Sequence, residues 1–156
     1  MFKPLPFPDH QNVRDPLWQR LWATYSDVIT LLRADSIPTD IEMCGSEWYI
    51  AAQLPGGYSL SIRSSEEHGS AALPLDRGQL WAWHVTLHGP GENDAEVIYD
   101  SARGDQARGG TAVLPLMAHL VPHIEAARRS TLRPKEATDA PPPATGPALP
   151  ADTGRD

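Results

Sequence analysis

Apolar positions along the chain change their period twice, and the changes divide it into helices and strands. Leu17, Trp18, Leu21, Trp22, Tyr25, Val28, Ile29 and Leu32 recur at three- and four-residue spacing, the stripe of an amphipathic helix. Asp15-Pro16 marks its start: a carboxylate that can cap free amides, then a proline suited to the first helical position. The pattern fails by Asp35, and Pro38 prevents continuation. Ahead of the helix Pro4, Pro6 and Pro8 alternate, so residues 1–14 read as an extended arm.

The period then falls to two. Trp48, Ile50, Ala52 and Leu54 alternate with Tyr49, Ala51 and Gln53, and after Pro55-Gly56-Gly57 the set Tyr58, Leu60 and Ile62 alternates with Ser59, Ser61 and Arg63. This is a hairpin whose three-residue loop takes a type I turn from Pro55 and a left-handed residue at Gly57. The loop sets Leu54 opposite Tyr58 and Ala52 opposite Leu60, which keeps the apolar sets on one face. Upstream, residues 40–50 fit a further hairpin through Gly45-Ser46, pairing Ile41 with Ile50, or equally a long bulged strand.

Residues 64–78 lack periodicity and form a loop long enough to be a mild functional flag. A strand over residues 79–88 sends Trp81, Trp83, Val85 and Leu87 to one side and His84, Thr86 and His88 to the other. GPGEND turns the chain into a partner strand, with Ala95, Val97 and Tyr99 alternating against Glu96, Ile98 and Asp100. Leu114, Met117, Leu120, Val121 and Ile124 then form the stripe of a last helix, which Pro122 should kink and which Arg128 and Arg129 end. The expected fold is α+β: an N-terminal helix, an antiparallel sheet of four or five strands built from hairpins, and a C-terminal helix, both helices on one sheet face. Residues 15–129 make the single domain. Residues 130–156, rich in Pro and Ala, cannot offset their ordering entropy and read as a disordered tail.

Composition narrows the function classes. The chain has 156 residues, 20 acidic against 13 basic and a net charge of −7, enough length for a core and the wrong charge for phosphate backbones or anionic lipid. The expectation is no nucleic acid and no membrane as partner. One cysteine, Cys44, forms no internal disulfide, and the opening MFKPLPFPDH lacks the apolar run of an export signal, so a cytoplasmic location is expected.

Candidate chemistry lies mainly on the sheet face turned away from the tryptophans. That face gathers Tyr49, Arg63, His84, Thr86, His88 and Ile98, a surface for binding another protein. His84 and His88 lie ~13 Å apart along a strand, too far for one metal ion to bridge. Two registers of the second hairpin keep the apolar faces aligned. One sets His84 opposite Asp100 and His88 opposite Glu96, supplying a base with an orienting carboxylate for acid–base catalysis; the other sets His84 opposite Ile98. A solvated face held by cross-strand pairs explains the same residues without catalysis.

Residues 104–111, GDQARGGT, approach a phosphate-binding loop, but Gly110 stands where its lysine belongs. A weaker anion site remains from Arg103, Arg108, Gly109 and Gly110 at a helix start. His119 and His123, four apart on the last helix, share a side as zinc-binding helices require, yet Leu120 replaces the glutamate of that motif. No cofactor is expected. The reading is therefore a non-enzymatic protein–protein interaction module of adaptor, accessory or immunity type, acting through the open face or an edge strand. The alternatives are a small hydrolase using His84 with Asp100 or Glu96, and an anion- or nucleotide-binding protein using residues 103–111.

Overall fold

The computed structural model describes residues 6–132 and Gly146. It orders two short helices, α1 (Pro16–Thr24) and α2 (Ser26–Ala34), five strands, β1 (Thr39–Cys44), β2 (Glu47–Gln53), β3 (Ser59–Ser64), β4 (Trp83–His88) and β5 (Ala95–Asp100), and a long helix, α3 (Val113–Leu132). The strands form one antiparallel sheet in the order of the chain, β1-β2-β3-β4-β5. The α+β class therefore stands, with the fifth strand settled as a true hairpin: Ile41 pairs with Ile50 and Met43 with Trp48.

Asp15 caps α1 by accepting from the Leu17 amide at 2.8 Å, and Pro16 opens the helix. The expected single helix is divided at Tyr25, whose φ of −109° and ψ of 18° leave the helical region. The chain nevertheless keeps its direction, because the Tyr25 amide still donates to Leu21 O and the Ile29 amide to Tyr25 O. The stripe survives intact: Trp18, Leu21, Trp22, Tyr25, Val28, Ile29 and Leu32 are all buried.

All three helices share one core with one face of the sheet, the face carrying Ile41, Ile50, Ala52, Leu60, Ile62, Trp83, Val85 and Tyr99. On α3 the buried positions are Leu116, Leu120, Ile124 and Ala127, while Leu114 and Val121 are exposed. The expected stripe was thus out of phase at two positions. Leu114 lies two residues from Leu116, about 200° around a helix, so both cannot face the sheet. The helix continues through Pro122, which is exposed, so the carbonyl left without its N–H faces water.

The remaining corrections concern segments that pattern alone reads as irregular. Residues 79–82 are not strand: a 3-10 turn at Arg77–Gln79, capped by the Asp76 carboxylate on the Gly78 amide, delays β4 until Trp83. Trp83 is fully buried and Trp81 only half-buried. Gly56 has φ +79° and ψ 17° and Gly57 φ +80°, so the Pro55-Gly56 turn is of type II geometry and not type I. The segment between β3 and β4 packs down, with Leu73 buried and its amide bonded to Trp48 O. Arg77 lies over the rings of Tyr25 and Trp83 and binds both oxygens of Asp27.

The N-terminal arm is also held, where described. Phe7 stands edge-on to Trp18 and Trp22, Gln11–Arg14 form a 3-10 turn, and His10 reaches Asp40 at 2.7 Å. At the other end residues 130–132 are helical, and the rest of the expected disordered tail lies outside the described residues apart from Gly146.

Candidate functional site

The sheet face opposite the core carries no described helix. Its side chains fall into cross-strand rows because β pairing sets residues opposite one another. One row runs Glu42, Tyr49, Arg63, His84 and Asp100, one residue from each strand. Glu42 pairs with Tyr49, Arg63 with His84 and His84 with Asp100, and the Arg63 guanidinium lies over the Tyr49 ring at 4.3 Å. The next row is Asp40, Ala51, Ser61, Thr86 and Val97. Its small members Ala51 and Ser61 are buried.

The first row is tied along its length. The Tyr49 hydroxyl donates to Glu42 Oε2 at 3.0 Å, and Arg63 meets Glu47 at 3.5 Å. Burial, and then the Glu42 carboxylate beside it, push the Tyr49 hydroxyl up to about 12, against the opposing pull of Arg63. At the far end His84 Nδ1 lies 3.5 Å from Asp100 Oδ2. The other Asp100 oxygen accepts from the Ala102 amide, so this carboxylate also shapes the turn that follows β5. A recess of about 440 Å³ opens here between His84, Val97, Asp100, Arg103, Glu66 and Glu67.

A register shift decides which predicted residues belong to this face. His84 is opposite Asp100 and Val85 opposite Tyr99, but Thr86 is opposite Val97 and His88 opposite Ala95. Of the two registers weighed for this hairpin, the one with His84 opposite Ile98 does not occur, and the one with His84 opposite Asp100 holds only at that end, because a β-bulge at Ile98 moves every later partner by one. Ile98, expected on the open face, instead packs against the core, and the exposed Val97 takes its place. Glu96, expected opposite His88, is opposite Leu87 on the other side of the sheet. Tyr49, Arg63, His84, Thr86 and His88 do share the open face.

The arrangement also divides the parts of a hydrolytic site. Ser61 Oγ lies 3.0 Å from His88 Nε2, within reach for a nucleophile and its base. The carboxylate, however, belongs to His84, four residues away on the same strand, and no acidic side chain contacts His88 among the described residues. Nucleophile and orienting acid therefore serve different histidines ~13 Å apart.

The anion-binding residues are not brought together. Arg103 turns to Glu67 at 2.5 Å and to Asp100 at 3.9 Å, which neutralises the charge an anion needs. Residues 104–109 wind into a 3-10 turn, and Gly109 is packed against the Tyr99 hydroxyl. Arg108 is exposed. Cys44 is exposed at the β1–β2 turn. Among the described residues no three His, Cys, Asp or Glu side chains are grouped to hold a metal ion, and no helix is long and apolar enough to cross a membrane.

Sequence reasoning missed Asp40 and Glu42, because residues 38–44 were not fixed as a strand, Glu47, because the alternation was read only from Trp48 onward, and Glu67, because the loop bearing it has no period. The alternation of Ile41 and Met43 with Asp40 and Glu42 was the available signal. No protein-family model, curated protein or solved structure matches the chain.

Proposed function

We propose that this protein is a non-enzymatic binding module whose contact surface is the uncovered sheet face, and that its partner is a protein presenting basic residues. The carrying observation is the row Glu42, Tyr49, Arg63, His84, Asp100, which crosses all five strands on a face without a described helix. Asp40, Glu42, Glu47 and Asp100 outnumber Arg63 on that face, and the chain as a whole is at −7, so electrostatic steering favours a cationic partner. Tyr49 with its stacked Arg63 supplies the aromatic and guanidinium anchors that dominate interface energies. The lone exposed Cys44 fits action in the reducing cytoplasm.

A photo-crosslinking residue placed at Thr86, and separately at Arg20 on the helical side, tests the reading in the native host. The expected result is one basic protein captured from position 86 and absent from position 20, with capture lost when Glu42→Lys is combined with Glu47→Lys. Equal capture from both positions, or none, overturns it.

The second reading, hydrolysis with His84 oriented by Asp100, has the 3.5 Å contact and the adjoining recess in its favour. It requires His84 to activate water unaided by Ser61. Hydrolysis of activated esters that disappears in His84→Gln and persists in Ser61→Ala would establish it in place of binding.

A further inference from the structure

The two edges of the sheet are finished differently. On β1 the outward-facing backbone groups are those of Thr39, Ile41 and Met43, since the Pro38 carbonyl points inward to accept from Gln53 and direction alternates along a strand. Thr39 O accepts from Arg33, Ile41 O accepts from Trp18 Nε1, and the Ile41 amide donates to Asp40 Oδ1. The other Asp40 oxygen is held by His10. Side chains thus close both groups of the central Ile41 and the Thr39 carbonyl, so that any open groups on this edge lie toward its ends, a common protection against further pairing.

On β5 the outward residues are Ala95, Val97 and Asp100, because Gly89 N bonds Asp94 O and Ser101 N bonds Trp83 O on the inward side. Asp100 is closed at both groups, its amide by Gln106 Oε1 and its carbonyl by the Arg103 amide. The Ala95 amide is spent on Asn93 O. The Val97 amide, the Val97 carbonyl and the Ala95 carbonyl have no partner among the described residues. Ala95, Glu96 and Val97 are three consecutive exposed residues.

Recesses flank this open length on both sides of the sheet. On the uncovered face lies the one walled by Glu66, Glu67 and Asp100, with Val97 beside it. At the hairpin tip a second, of about 360 Å³, is lined by Tyr58, Leu87, Asp94 and Glu96, and Tyr58 and Leu87 continue into a cleft against His123 and Ala126 of α3. Asp94 and Glu96 have no ion-pair partner among the described residues. Each recess joins apolar or aromatic surface to a surplus of carboxylates, Glu66, Glu67 and Asp100 against Arg103 in the first and Asp94 with Glu96 in the second, which suits an aliphatic stem with a cationic head.

We propose that β5 accepts an extended segment of the partner as a sixth strand centred on Val97, and that adjacent Lys and Arg side chains of that segment enter the two recesses. Consecutive residues of a strand point to opposite faces, so two neighbouring basic residues suffice. Backbone pairing supplies the register, and the side chains select a cationic sequence. The inference rests on the binding reading above and names where and what it binds.

The probe is an acetylated, amidated hexapeptide, Thr-Val-Lys-Arg-Val-Thr, titrated into the full chain with amide hydrogen exchange read by NMR. At saturation the Val97 amide is expected to exchange about tenfold or more slowly, while amides of β1 are unchanged. The analogue with two glutamates at the basic positions is expected to give no protection. Val97→Pro removes an outward N–H and no sheet bond, so its melting temperature stays near that of the parent and the peptide no longer binds. Glu67→Lys with Glu96→Lys keeps the edge and weakens binding at least about tenfold. A Val97 amide that stays fast with bound peptide, equal protection by the glutamate analogue, or a Val97 amide already protected in a dimer of the free protein each overturns the proposal. Crosslinking from Thr86 that persists in Val97→Pro would leave the face as the contact surface and remove the edge.

Discussion

The two faces of the sheet use the same five strands for different ends. Toward the helices, Ile41, Ile50, Leu60, Ile62, Val85 and Tyr99 form a closed surface of large side chains with almost no exposure. Away from them, the same strands present the row Glu42, Tyr49, Arg63, His84 and Asp100 beside the smaller Ala51, Ser61 and Thr86. Burial of apolar area stabilises the first face at roughly 25 cal/mol per Å². The second is held by cross-strand polar contacts worth little each. The packed core and the proposed contact surface therefore lie on opposite sides, and substitutions on one side should leave the other largely unaffected.

The largest effect should come from Trp83→Ala. This ring is fully buried between Tyr25 and the Arg77 guanidinium, and its removal is expected to cost about 3–5 kcal/mol in urea denaturation. A cost below about 1 kcal/mol would mean that the covered face is not where the fold is anchored. Gly109→Ala comes next, because an added methyl would strike the Tyr99 hydroxyl and crowd Pro115. A loss of about 1–3 kcal/mol follows from overpacking.

Tyrosines sharpen the comparison through pH. The buried Tyr25 hydroxyl donates to Pro74 O at 2.7 Å, and burial raises its pKa above the ordinary 10. A raised tyrosine pKa means that the folded state holds its proton longer than the unfolded state. The resulting stability is full below pH ~10 and is lost as pH rises above that value. Tyr49 on the open face behaves in the same sense between 10 and about 12. Tyr25→Phe should cost about 0.5–1.5 kcal/mol at neutral pH and flatten the alkaline fall of the melting temperature. Tyr49→Phe should flatten it less. The smallest effect belongs to His84→Gln, expected within about 0.5 kcal/mol by denaturation while crosslinking from Thr86 falls.

Much of this division was legible from periodicity. The Trp18 to Leu32 stripe, the Pro55 hairpin and the opposite facing of Trp83 and His84 follow from spacing, because burial on one side forces the pattern into the sequence. The bulge at Ile98 was not legible. Val97 and Ile98 are both β-branched and apolar, so exchanging which one faces the core changes no pattern. The phase of α3 was obscured in the same way, since Leu114, Leu116, Met117 and Val121 supply apolar residues on more than one side of the helix. Ion pairs between distant segments, such as Arg103 with Glu67 or His10 with Asp40, depend on loop paths that no local rule fixes.

The His10–Asp40 contact has a practical consequence. Asp40 is the clip that occupies the Ile41 amide, and His10 is what keeps that clip seated. A truncated chain lacking its first ten residues would loosen a single donor on the β1 rim, the Ile41 amide, because Trp18 and Arg33 still cap the carbonyls beside it. Deleting ten residues would therefore speed solvent exchange at one amide without turning that rim into a surface for chain-to-chain growth.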